Sequence, residues 1–268
     1  MTDWLETCRA AVEDLRGVLA ALPTRSDREP VVGTGVGGDE TTAIDAAAES
    51  KIVERLEAVH GQGAEFTLVS EELGERAFGA GDVRVVVDPI DGSVNAKRGI
   101  PFFSFSLAVA EGAVMDDVSF GYVYDLGSGE EWTAERGGGT RLNGTAIGPT
   151  RPKNEIEILS FEATVTERVA DHVEAFRDIA ERVRIMGSLA LSLCHLAAGR
   201  VDAVCSLKAA RAVDIAAAQL FVRESGLAID LPEAPPFGEA PLDTVGRSRV
   251  VAAATPDICG RLFAALNA

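Results

Sequence analysis

The chain has 268 residues, enough for one large core or two closely packed halves, and 47% of them are hydrophobic, which excludes a disordered chain. Acidic residues outnumber basic ones 42 to 25, for a net charge of −17, so a nucleic-acid backbone would be repelled, and no basic stripe escapes that field. Four scattered cysteines, Cys8, Cys194, Cys205 and Cys259, form no CxxC pair and read as reduced, mostly buried thiols of a reducing compartment.

Nearly all basic residues are arginines; Lys51, Lys97, Lys153 and Lys208 are the only lysines. A lysine-poor, acidic surface fits life in high salt and fits an ordinary acidic cytosolic enzyme equally. Thr2, Asp3, Glu6 and Arg9 interrupt the first turns, so no secretory signal is expected. Arg184, Gly187, His195, Arg200 and Asp202 break the most apolar stretch, Val183 to Leu207, so no membrane span is expected and the location reads as cytoplasmic.

Residues 3–22 carry apolar side chains at helical spacing, and Pro23 ends that helix. A Gly-rich loop, Val32 to Gly38, precedes a second helix over 42–59. Phe66 to Val69 and Val83 to Val87 read as strands, the latter stopped by Pro89. Phe103 to Ala110, Asp117 to Tyr124 and Glu131 to Ala134 read as an antiparallel meander, followed by a turn at Gly137, Gly138 and Gly139. Near residue 150 the pattern changes to alternation: strand Ile156 to Phe161, helix 166–183, buried helix 188–198, strand Ala203 to Leu207, helix 212–225. Pro232 to Pro241 reads as a surface loop. The class is therefore α/β, with an α+β half over 1–150 and an α/β half over 151–268.

The sharpest motif is Asp88-Pro89-Ile90-Asp91-Gly92-Ser93. An apolar strand runs into two carboxylates that can project to one side, and these repel unless a cation lies between them. Gly92 lets the backbone come close to a ligand, and the amides of Gly92 and Ser93 can cradle a phosphate. Hard oxygen ligands beside a phosphate suit Mg²⁺. Alone, an Asp-Pro turn with a Gly loop is common. The pair Glu71-Glu72 after Ser70 reads alone as a helix N-terminus, and Asp214 reads alone as a helix cap.

Taken in order, Glu71-Glu72, Asp88 to Ser93 and Asp214-Ile215-Ala216-Ala217 resemble the inositol monophosphatase family over nearly the whole chain. The resemblance implies a layered α/β/α/β/α sugar-phosphatase fold, with most metal ligands in the first half and Asp214 and the substrate loop in the second. It implies one Mg²⁺ on Glu71, Asp88 and the carbonyl of Ile90, a second on Asp88, Asp91 and Asp214, and a weaker third reached by Glu72 through water. Asp45 and Ser93 stand where the family orients the attacking water, and Gly187-Ser188-Leu189-Ala190 stands at its substrate loop. The substrate would be a small sugar or cyclitol phosphate and the assembly a homodimer, with no nucleic-acid or membrane partner.

Some positions depart from the family pattern. Val213 replaces a frequent Trp, and Leu207 stands where inositol-selective members keep an acid. Ser70 to Gly74 and Asn95 to Pro101 look like the microbial branch that hydrolyses both inositol phosphates and fructose 1,6-bisphosphate. Lys208, Arg211 and Arg184 are then candidate contacts for a distal phosphate, or cations that balance an acidic surface. Gly92-Ser93-Val94-Asn95 argues against a 3′-phosphoadenosine 5′-phosphate phosphatase, while an NADP phosphatase activity stays open. A non-catalytic metal-binding relative would need a broken ligand set, and the set is complete.

Overall fold

The computed structural model describes residues 2–36, 38, 40–148, 155–162 and 165–268. Asp3 starts the first helix, α1 (Trp4–Ala21), by accepting the Glu6 amide at 3.0 Å. Its buried stripe of Cys8, Ala11, Val12, Leu15 and Val18 packs on α3 (Ala43–Gly61), after a single turn α2 (Arg25–Arg28). Between them, Val31–Thr34 (β1) and Glu40–Thr42 (β2) pair antiparallel, where the sequence suggested only a loop; Gly37 and Asp39 lie outside the described residues.

Eight strands form the larger sheet: β3 (Phe66–Ser70), β4 (Gly74–Phe78), β5 (Arg84–Asp91), β6 (Ser104–Ala110), β7 (Val118–Asp125), β8 (Glu131–Glu135), β9 (Gly139–Leu142) and β10 (Thr145–Ala146). A short helix, α4 (Ser93–Arg98), leaves the end of β5. The order is β10-β9-β8-β7-β6-β5-β3-β4, antiparallel except where β3 and β5 run parallel. Pro89 does not stop β5. The strand continues to Asp91 because its register against β6 shifts between Asp88, opposite Ser106, and Asp91, opposite Ser104. Such a bulge accommodates a residue with no amide hydrogen to offer the ladder.

The smaller sheet has five strands in the order β12-β11-β13-β15-β14: β11 (Ile156–Glu162), β12 (Ala180–Arg184), β13 (Ala203–Ser206), β14 (Ala228–Asp230) and β15 (Val251–Ala253). Here the expected helix over 166–183 is corrected. Helix α5 covers only Thr166–His172, a 3-10 turn follows, and Ala180–Arg184 is an edge strand parallel to β11. Phe176 sets the break, because its ring leaves the helix to stack edge-on against Phe161 of β11, centroids 4.9 Å apart.

Helices α6 (Leu189–Ala197) and α7 (Ala212–Glu224) are apolar nearly all round, so they must be covered on both sides. They lie between the sheets: α7 packs on β5, β6 and β7 and also touches β14, and α6 touches β13 and β15. Gly121 of β7 permits the close seat of α7, since a Cβ there would stand 2.8 Å from the Ala217 carbonyl oxygen. Helix α8 (Pro256–Ala265) covers the far face of the smaller sheet, and α1 and α3 cover the far face of the larger one. The result is the expected α/β/α/β/α layering. The 232–241 segment is a surface loop only in part, because Ala240 is buried and its carbonyl accepts the Met115 amide at 2.9 Å.

Candidate active site

A cavity of about 460 Å³ opens where β5, the β3–β4 turn and the N-termini of α3, α6 and α7 converge. Glu71 sits in the β3–β4 turn, Asp88 near the end of β5, and Asp214 in the first turn of α7. One oxygen from each of these three carboxylates lies within 4.8 Å of the others. Three elements from both ends of the chain thus deliver acids to one point, against the rule that like charges avoid a buried site.

The protonation of these groups records the cost. Burial pushes the Asp88 carboxyl well above the usual carboxylate range, and Glu71, Asp91 and Asp214 push it further. Burial also raises Asp214, against the pull of the Arg211 guanidinium and backbone. Asp91 is pushed up to about 7, again mainly by burial, while the Ser188 hydroxyl draws it back. A divalent cation would reverse all three shifts, and an all-oxygen donor set is what Mg²⁺ takes.

Asp91 faces the same cavity but stands outside the tightest cluster. Its carboxylate accepts the Ser188 hydroxyl and, at 2.9 Å, the Ala190 amide, so it caps the start of α6. Ser188 is therefore buried against Asp91, while Gly187 and Leu189 on either side line the cavity. Gly92 has φ of +95°, and a Cβ on it would lie 3.0 Å from the Gly187 carbonyl oxygen. The tight neighbour of Gly92 in this structure is thus the facing loop of the chain itself.

The proposed water-orienting pair lies alongside. One oxygen of Asp45 accepts the Thr42 amide at 3.2 Å and hydroxyl at 2.5 Å, a reciprocal cap of α3. The other oxygen, Oδ1, is buried with no hydrogen-bond partner among the described residues, on a side chain that lines the cavity. Ser93 opens α4 and its hydroxyl donates to the Ile90 carbonyl at 3.0 Å. Glu72 accepts the Thr41 hydroxyl and lines the same wall.

The cations divide. Lys208 lines the cavity. Arg211 also lines it, is 4% exposed and forms an ion pair with Glu71 of the acid cluster. Arg184 is exposed and lines a separate cavity of about 250 Å³ behind Met186. Leu207 points into the outer core and leaves Ser206 and Lys208 at the cavity. Three charged cavity residues, Glu40, Lys97 and Glu162, escaped the sequence reading. Lys97 of α4 was visible as one of four lysines, and Glu162 as a charge that ends an apolar strand, the same signature that drew attention to Asp88.

Comparison with known proteins identifies the family and the fold. The profile of the inositol monophosphatase family matches residues 5–267. The fructose-1,6-bisphosphatase/inositol-1-monophosphatase of Methanothermobacter thermautotrophicus is 33% identical over 234 residues, 83% of this chain and 82% of that protein. Its namesake from Archaeoglobus fulgidus is 34% identical over 94% of this chain and 93% of its own. A crystal structure of an inositol monophosphatase–fructose 1,6-bisphosphatase superposes with a TM-score of 0.84 at 28% identity, covering 98% of this chain and all of that one. With a family profile spanning nearly the whole chain, relatives above 30% identity and a shared fold, the chain belongs to the inositol monophosphatase family.

Proposed function

We propose that this cavity hydrolyses phosphate monoesters of inositol and of fructose 1,6-bisphosphate with Mg²⁺. The observation that carries the reading is the trio Glu71, Asp88 and Asp214, buried or half-buried and within 4.8 Å of one another. Glu71, Asp88 and the Ile90 carbonyl would hold one ion, and Asp88, Asp91 and Asp214 a second, with Glu72 near a third. Bound there, Mg²⁺ would acidify water and neutralise charge on the phosphate oxygens.

The chain's own groups do the rest. Asp45 has one oxygen fixed by Thr42 and one buried with no hydrogen-bond partner among the described residues, so it is set to accept a proton from a water beside Ser93. The amides of Gly92 and Ser93 would receive the phosphate where α4 begins. Lys208, joined by Lys97, offers positive charge to a second phosphate in a protein of net charge −17. Arg211 also lines the cavity but pairs with Glu71, and Arg184 lines a separate cavity, so this reading puts the second phosphate on the two lysines. A homodimer would cover exposed apolar side chains such as Ile100, 49% exposed.

Phosphate release from inositol 1-phosphate, fructose 1,6-bisphosphate, 3′-phosphoadenosine 5′-phosphate and NADP tests the reading. The first two should be cleaved in Mg²⁺, and excess chelator should abolish turnover. Replacing Lys97 and Lys208 together by Ala should weaken the bisphosphate about tenfold or more and spare the monophosphate, since even one charge-assisted contact contributes roughly 1.5–3 kcal/mol. Full turnover in chelator would overturn the metal mechanism.

A further inference from the structure

We propose that Glu162 is a positioning residue that holds Asp91 in register for Mg²⁺ through the turn 186–190; the inference rests on the metal reading above. Glu162 ends β11, is 7% exposed and lines the cavity, but its hydrogen bonds point away from the acid cluster. One oxygen accepts the Gly187 amide at 2.9 Å. The other accepts the Ser192 hydroxyl at 2.7 Å, the Ser160 hydroxyl at 2.9 Å and, more weakly, the Met186 amide at 3.4 Å. Four donors converge on one carboxylate, and two of them are consecutive amides of a single turn.

That turn is gripped from the opposite side too. The Asn95 side-chain amide donates to the Met186 carbonyl at 2.8 Å and to the Phe102 carbonyl at 2.8 Å. Gly187 has φ of +89°, and a Cβ on it would stand 2.9 Å from Asn95 Nδ2, so only glycine fits between the two grips. The residue that follows, Ser188, delivers its hydroxyl to Asp91 and accepts the Leu191 amide at 3.3 Å, and the Ala190 amide completes the hold on Asp91. An unbroken chain therefore runs from Glu162 through Gly187 and Ser188 to Asp91. Groups that orient a ligand from behind in this way typically cost 10–100-fold in metal affinity or activity when removed.

Glu162→Gln keeps the shape but places an amide donor opposite donors. Ser188→Ala removes the hydroxyl farther along the chain and is the milder change. Titration calorimetry with Mg²⁺ alone should show each variant binding about tenfold more weakly than the native protein, with circular dichroism unchanged. Because both act through one path, the double variant should lose no more than the worse single variant. In turnover, excess Mg²⁺ should restore most of kcat for Glu162→Gln, with little change in KM. Native Mg²⁺ affinity in folded Glu162→Gln, or independent losses that multiply in the double variant, would overturn the proposal. A raised KM with native Mg²⁺ affinity would do the same and place Glu162 against the substrate. A native protein that binds no Mg²⁺ would instead overturn the metal reading on which this rests.

Discussion

Single carboxylates in this molecule are sorted by what their neighbours can donate. Asp45 keeps one oxygen tied to Thr42 and the other without a hydrogen-bond partner among the described residues, whereas both oxygens of Glu49, one turn farther along α3, lie within 2.7 Å of the single Ser70 hydroxyl. Burial pushes Glu49 from its ordinary 4.5 up to about 7, the Ser70 hydrogen bond opposing and Glu72 adding to the rise. The folded protein therefore keeps a proton that the unfolded chain gives up, so this contribution to stability is present below pH 4.5 and is lost as pH rises through about 7. Glu49→Gln should match the native protein near pH 5 and exceed it at pH 8 by about 1–3 kcal/mol, read from denaturant unfolding at both pH values. Ser93→Ala should lower kcat by about 10²-fold or more and leave KM nearly unchanged, because a group that orients water acts mainly in the transition state. A loss confined to KM would make Ser93 a phosphate ligand instead.

At the scale of elements, α7 couples packing to chemistry. It carries Asp214 in its first turn and lies on the larger sheet over Gly121. Gly121→Ala should push α7 off the sheet, costing about 1–3 kcal/mol by overpacking, and should lower activity though Gly121 is remote from the cavity. Chemical denaturation and a kcat measurement on the same sample check both halves of this expectation. The acid motifs were legible because an apolar run ending in Asp or Glu is costly without a purpose, and Val85 to Asp88 is such a run. The edge strand Ala180–Arg184 was not, since three of its five residues are charged and only pairing with β11 makes it a strand. The three-residue strands β14 and β15 are too short to show a period, and the passage of β5 through Pro89 depends on a bulge that only the partner strand β6 reveals. The grips of Glu162 and Arg211 were likewise invisible, because they join positions distant in sequence.

Across the whole molecule, the acid cluster sits inside a protein that is already strongly negative. Added neutral salt should raise the melting temperature of the metal-free protein between about 0.01 and 0.15 M ionic strength, where the screening length falls from roughly 30 to 8 Å. Surface pairs such as Arg177–Glu174 and Lys51–Glu54 weaken in salt, but exposed pairs contribute about 0–1 kcal/mol each, so relief of the net −17 prevails. A melting temperature that falls with salt would reverse this ranking. No described helix is long and apolar enough to cross a membrane.

Arginine accounts for all but four of the 25 basic residues, and this makes the cavity chemically addressable. An amine-selective acylating reagent can mark Lys51, Lys97 and Lys208 among the described residues, and the last two face the cavity. Lys51, whose side chain is 46% exposed on α3, supplies an internal reference on the same molecule. Peptide mass spectrometry of lightly acylated protein then reports occupancy as a ratio of marks, without any turnover. A phosphorylated ligand seated in the cavity should shield Lys97 and Lys208 and leave Lys51 as reactive as before.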